Sequence, residues 1–154
     1  MTQNKETDQI KVLIDIMRQI DDDISKSLSF KDLAEETEKD RLFAILMERF
    51  EALQPYKTVV SSSLNSISQD PLTLKKISKQ FKYSMFLMLE NADLLSHSTV
   101  YNDMKSIGLG VIYIDSLRVW VNDSSVDMDK TMAYLDKRLS QADSVLQTLK
   151  NFRL

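Results

Sequence analysis

Apolar residues recur at steps of three and four along most of the chain, the spacing that lines one face of an α-helix. Residues 7–25 place Ile10, Leu13, Met17, Ile20 and Ile24 on one such stripe. "EKDRLFAILMERFEAL" carries Leu42, Phe43, Ile45, Leu46, Phe50 and Leu53. Thr37 followed by Asp40 reads as its capped start, the short acid standing in for the usual Glu. Between these two helices "SKSLSFKDLAEET" breaks the rhythm and predicts a connection. Pro55 ends the second helix or opens the next, expected over 56–68. Asp70 and Pro71 mark the sharpest boundary, a side-chain cap followed by a residue with no N–H at the first helical position. The helix they open, 71–93, turns Leu74, Ile77, Phe81, Met85, Met88 and Leu89 to one side. A short turn over 94–99 follows, with Ser98 or Thr99 as the next cap.

The run "SIGLGVIYIDSLRVWVNDSS" holds both glycines and the single tryptophan. Met104, Ile107, Val111 and Ile114 form one stripe on it, and Leu109, Tyr113, Leu117 and Trp120 form another. Two apolar faces predict a helix over 99–121 enclosed by others. A dinucleotide-binding fingerprint would need a third glycine where Tyr113 stands and a strand upstream, where "VYNDMKS" is too polar. Glycine inside a helix costs up to about 1 kcal/mol against alanine, so something should compensate. Residues two apart lie about 200° apart around the axis, so Gly108 and Gly110 serve different contacts. Tight packing of Gly108, with Gly110 tolerated, is the preferred expectation over a ligand cavity. The last helix, 127–150, follows capping oxygens at Asp123, Ser124, Ser125 and Asp127. Its stripe of Met128, Met132, Leu135, Leu139, Ala142, Leu146 and Leu149 keeps step for three heptads and predicts a long helix-on-helix seam.

Composition sharpens this into an all-α fold of about six helices in a single domain spanning 1–154, with 1–9 expected to be flexible. Two glycines and two prolines are too few to turn a sheet protein. There is no cysteine, hence no disulfide, thiolate nucleophile or cysteine-based metal site. "MTQNKETDQ" has no signal-peptide core and no stretch approaches a membrane span, so a soluble, cytoplasmic protein is expected. The net charge of −3 and the acidic first fifty residues argue against direct nucleic-acid binding by this chain alone.

Catalytic chemistry finds few candidates. His97, the single histidine, lies in a polar turn without a partner base or ligand set. Asp21, Asp22 and Asp23 are consecutive, point in different directions on a helix, and read as solvation of a helix end. Asp123, Asp127 and Asp129 lack calcium-loop spacing. No enzyme activity, metal or cofactor is expected. Lys75, Lys79 and Lys82 share a helix face that is either plainly solvated or a contact for an anionic membrane or an acidic partner. Met47, Phe50, Tyr56, Phe81, Met85, Met88, Tyr113 and Trp120 are large, soft or aromatic, and form either solid core or a pocket for an apolar molecule. In the pocket reading Tyr56 and Tyr113 orient a head group.

"DRLFAILMERFEALQPYK", "DPLTLKK" and "GLGVIYIDSLRVWVNDSSVDMDKTMAYLDKRL" resemble the C-terminal effector and dimerisation domain of TetR-family regulators. The branch is the one related to the coenzyme Q biosynthesis lipid-binding proteins. The likeness rests on Tyr113, Asp123, Ser124, Ser125, Asp127, Thr131, Leu135, Asp136, Arg138 and Leu139, and spans Lys11 to Leu149. No helix-turn-helix precedes the linking helix, so operator binding is not carried over. The resemblance implies a homodimer through the last two helices, with Leu109, Leu117, Met132, Leu135, Leu139, Ala142 and Leu146 at the interface, unless these pack within one subunit. It implies non-catalytic binding of a lipid or isoprenoid-like ligand in ubiquinone biosynthesis. The alternatives are a TetR-type transcriptional regulator's effector domain or remnant, and a helical interaction module without a small ligand.

Overall fold

A computed structural model describes residues 2–27, 35–66 and 71–152. Its elements are α1 (Thr2–Ser27), α2 (Glu38–Leu53), a 3-10 turn (Gln54–Tyr56), α3 (Lys57–Ser66), α4 (Pro71–Asn91), α5 (Thr99–Val121) and α6 (Asp129–Asn151). The described residues contain no strand, and the all-α expectation holds. α1 is helical from Thr2, within the segment expected to be flexible. Asp70 and residues 28–34 of the 25–37 connection lie outside the described residues.

The caps follow the local chemistry. The Asp40 N–H donates to Thr37 Oγ1 at 3.1 Å, and the Thr37 hydroxyl donates to Asp40 Oδ2 at 2.6 Å. A shorter acid thus closes the box side chain to side chain. Ser98 Oγ accepts from the Tyr101 N–H and starts α5. Pro55 sits in the 3-10 turn that breaks α2 from α3. α4 ends where Asp93 turns left-handed (φ 56°) and the Leu94 N–H donates to the Leu89 carbonyl.

α2 is the hub. Ile45, Leu46 and Phe50 are fully buried, and α2 packs on α1, α4 and α6. Each such side chain contributes about 1.5–3 kcal/mol of transfer free energy. α1 runs alongside α4 in the same direction, since Arg18 meets Gln80, Asp21 meets Ser84 and Ser25 meets Asn91. α5 lies against α4 on one side and α6 on the other.

Its glycines exchange the roles expected of them. A Cβ at Gly110 would stand 3.0 Å from Phe81 Cε1, whereas a Cβ at Gly108 would meet nothing within 4 Å. Gly110 therefore admits the Phe81 ring, and Gly108 lies on an outward face. Which of two glycines about 200° apart faced α4 depended on which side α4 occupied.

Candidate ligand-binding centre

The centre of the fold is an aromatic cluster with a charged knot beside it. The Phe50 ring lies 5.6 Å from Tyr113 and 6.0 Å from Trp120, and Phe81 stacks on Tyr113 at 5.8 Å. Met85 reaches the same spot, with its Cγ 3.9 Å from where a Gly110 Cβ would be. Met88 is buried nearby in the common core, and Tyr56 packs against that core, half-buried. Of the residues expected to line a pocket, Phe50, Phe81, Met85, Tyr113 and Trp120 do come together.

Met47 goes elsewhere. With Glu51, Gln54, Ser125, Val126, Asp127, Met128 and Met132 it lines an open groove of about 440 Å³ between α2 and the start of α6. Met132 belongs to this groove and is partly exposed.

The knot was not expected. Arg49 Nη1 and Asp21 Oδ1 pair at 2.5 Å, with both side chains 2% exposed. Asp21 Oδ2 accepts from the Ser84 hydroxyl at 2.7 Å and from Gln80 Nε2 at 3.2 Å. Arg49 Nε donates to the Tyr113 hydroxyl at 3.0 Å. The network joins α1, α2, α4 and α5, and each charge is both paired and hydrogen-bonded, as burial requires. Burial opposes the Arg49 charge, but Tyr113 and Asp21 outweigh it and raise the guanidinium above its ordinary value.

Reading Asp21–Asp23 as three solvated charges is thus corrected. Asp22 and Asp23 are exposed, but Asp21 follows Met17 by four and precedes Ile24 by three, on the inner face of α1. The signal was there, because Arg49 likewise continues the Leu42, Ile45, Leu46, Leu53 stripe of α2. A charge at a stripe position is a buried charge in search of its counter-ion. The Tyr113 hydroxyl, expected to orient a ligand, is held by Arg49 instead.

Two polar atoms in this region lack a partner among the described residues. Ser116 Oγ and Trp120 Nε1 are buried on the same face of α5, one turn apart, without a hydrogen bond. Lys57 Nζ lies 5.1 Å from the centre of the Trp120 ring and donates to the Asp123 carbonyl.

Asp123 organises the turn into α6. Its Oδ2 accepts from the Thr131 N–H and hydroxyl, both at 2.8 Å, and its Oδ1 accepts from the Ser125 N–H and hydroxyl. Ser125 Oγ in turn accepts from the Asp129 N–H at 2.9 Å. The formal N-cap, Met128, is left-handed (φ 54°) and supplies no cap, so this distant pair does. Ser124 and Asp127 are exposed. Burial works against the Asp123 charge, but the Ser125 and Thr131 hydrogen bonds prevail and hold the carboxyl well below its usual range.

A lowered folded-state pKa means the stabilisation is complete above about pH 5 and is withdrawn as pH falls through the folded value. Asp123→Ala should therefore cost about 1–2 kcal/mol at neutral pH, as a lost cap does. It should also flatten the acid side of the stability curve, measured by urea unfolding between pH 3 and 7. An unchanged acid limb would contradict this role.

The residues expected at a dimer interface mostly pack inside the chain. Leu109, Leu117, Leu135 and Leu139 are buried in the common core, Ala142 packs against it, and Leu146 is half-buried. The exposed apolar stripe lies elsewhere on α5, at Val100, Met104, Ile107 and Val111, with Gly108 on the same side. α6 leaves Val145 and Leu149 exposed. Lys75, Lys79 and Lys82 are exposed on α4, and His97 is exposed in the α4–α5 turn. Among the described residues no group of three or more His, Asp or Glu side chains is placed to hold a metal ion, and no helix is long and apolar enough to cross a membrane.

Residues 104–146, most of α5 and α6 with the Asp123 turn between them, match the COQ9 family model, a family tied to ubiquinone biosynthesis. The match contains Tyr113 of the aromatic centre and Asp123, Ser125 and Thr131, which build the turn into α6. A search of curated proteins found no match.

Proposed function

We propose that this chain is a non-catalytic, homodimeric binder of a lipid or isoprenoid-like molecule that serves ubiquinone biosynthesis. The observation that carries the reading is the COQ9 family match over 104–146, which falls on the helix lining the aromatic centre. Phe50, Phe81, Met85, Tyr113 and Trp120 offer soft, adaptable apolar contacts there. Ser116 Oγ and Trp120 Nε1, buried without partners, are the polar handles such a site uses to fix orientation. The ligand parts α4 from α5 at Phe81, whose ring stands 3.0 Å from where a Gly110 Cβ would be.

The second copy docks on α5. Val100, Met104, Ile107 and Val111 repeat at four, three and four, and Ile107 is 69% exposed. An apolar stripe three turns long marks an interaction surface. Gly108, where an added Cβ would meet no described residue within 4 Å, lets a partner helix approach.

Organic extraction of the purified protein followed by mass spectrometry tests the ligand. An isoprenoid or acyl species present in stoichiometric amount is expected, and its amount should fall in a Gly110→Val variant, which crowds Phe81. Protein that is repeatedly free of any apolar molecule would end this reading.

A further inference from the structure

The outer face of α4 stands out in an acidic protein. Lys75, Lys76, Lys79 and Lys82 fall within eight residues, and the helix has no acid before Glu90. All four lysines are exposed. The same face carries Leu72, 72% exposed, and Tyr83, 59% exposed, one at each end of the lysine run. The spacing 72, 75, 79, 82, 83 and 86 keeps these side chains, with the half-buried Phe86, on one stripe. The Lys82 ammonium lies 5.6 Å from the Phe86 ring centre and pairs with Asp103 of α5 at 3.3 Å. Arg18 of the adjacent α1 pairs with Asp15 and donates to Gln80. Lys75, Lys76 and Lys79 therefore remain the charges presented outward.

We infer that this face rests on an anionic lipid surface. Leu72 and Tyr83 give this basic face an exposed apolar component beside its lysines. An interfacial helix needs that mixture: apolar side chains enter the headgroup boundary while lysine stems lie along it and their ammonium groups meet phosphates. Tyrosine suits the boundary because its ring is apolar and its hydroxyl wet. The net charge of −3 does not prevent docking, because charges more than about 8 Å away are screened at physiological salt, and the local lysines set the interaction. The inference extends beyond the internal ligand and stands on different residues.

Co-sedimentation with vesicles tests it, using phosphatidylcholine alone and phosphatidylcholine mixed with phosphatidylglycerol. Binding to the mixed vesicles only, weakening with salt, is expected. Each lysine near an anionic leaflet strengthens partitioning about fivefold, so K75Q/K76Q/K79Q should weaken it roughly a hundredfold. Leu72→Ser should weaken it without changing the salt dependence. Since these side chains are exposed, far-UV circular dichroism of the variants should match the parent. Equal binding to neutral vesicles, no binding to either, or an unaffected triple variant would overturn the inference. So would tighter binding to polyglutamate or single-stranded DNA than to mixed vesicles, which would assign the face to a soluble polyanion. An empty protein that still sediments counts against the proposed function alone; a liganded protein that does not sediment counts against this docking alone.

Discussion

Replacing Asp21 by Ala lowers the stability of the fold by about 3–5 kcal/mol, the cost of leaving one member of a buried ion pair uncompensated. In a chain of this size that is roughly 6–20 °C in Tm. Arg49 then sits in the core with its carboxylate gone and only the Tyr113 hydroxyl in reach. Gln80 Nε2 loses its acceptor at the same time, and the Ser84 hydroxyl is left with the Gln80 carbonyl alone. Arg49→Met should cost a similar amount for the mirrored reason. The double variant Asp21→Leu with Arg49→Met should recover most of the loss, because a well-packed apolar pair avoids the desolvation that the ions pay. Thermal unfolding of the two single variants and the double measures this coupling. Additive losses would show that the pair does not act as a unit.

If the proposed second copy docks on α5, Ile107→Asp should separate the dimer into monomers and leave the fold intact. In a twofold assembly the substitution appears once in each copy, and an unpaired buried carboxylate costs about 3–5 kcal/mol per site. Together that is roughly 6–10 kcal/mol, a weakening of association by more than about ten-thousand-fold. In the single chain Ile107 lies on the outside, so helicity and Tm should hardly move. Leu135→Asp makes the contrast. Leu135 is fully buried within its own chain, and that variant should unfold rather than dissociate. Light scattering after size-exclusion chromatography reads the mass, and circular dichroism reads the fold. A dimer that survives Ile107→Asp would move the interface off this face.

These two variants also show what could be read along the chain. Periodicity located α2, α4, α5 and α6 to within a few residues, because a three-four stripe is a local property. It said that Leu135 and Leu139 are covered, but not whether by α2 and α5 or by a second copy. They are covered by the chain itself. On α5 two stripes were legible, and only the positions of α4 and α6 decided that Tyr113 and Trp120 face in while Ile107 faces out. Asp21 was hidden by its neighbours. Three consecutive aspartates look solvated, and the one on the inner face is tolerable only because Arg49, 28 residues away, reaches it. The Asp123 turn was partly legible, since the capping residue types were present, but the left-handed Met128 that hands the cap to a residue eight positions before Thr131 was not.

Native mass spectrometry of the purified chain reads both assembly and cargo in a single spectrum. A homodimeric ligand binder should appear as a species at twice the chain mass carrying an apolar small molecule that is released when the gas-phase complex is activated. A monomer without any adduct, obtained from protein whose far-UV spectrum shows the native helices, would contradict it.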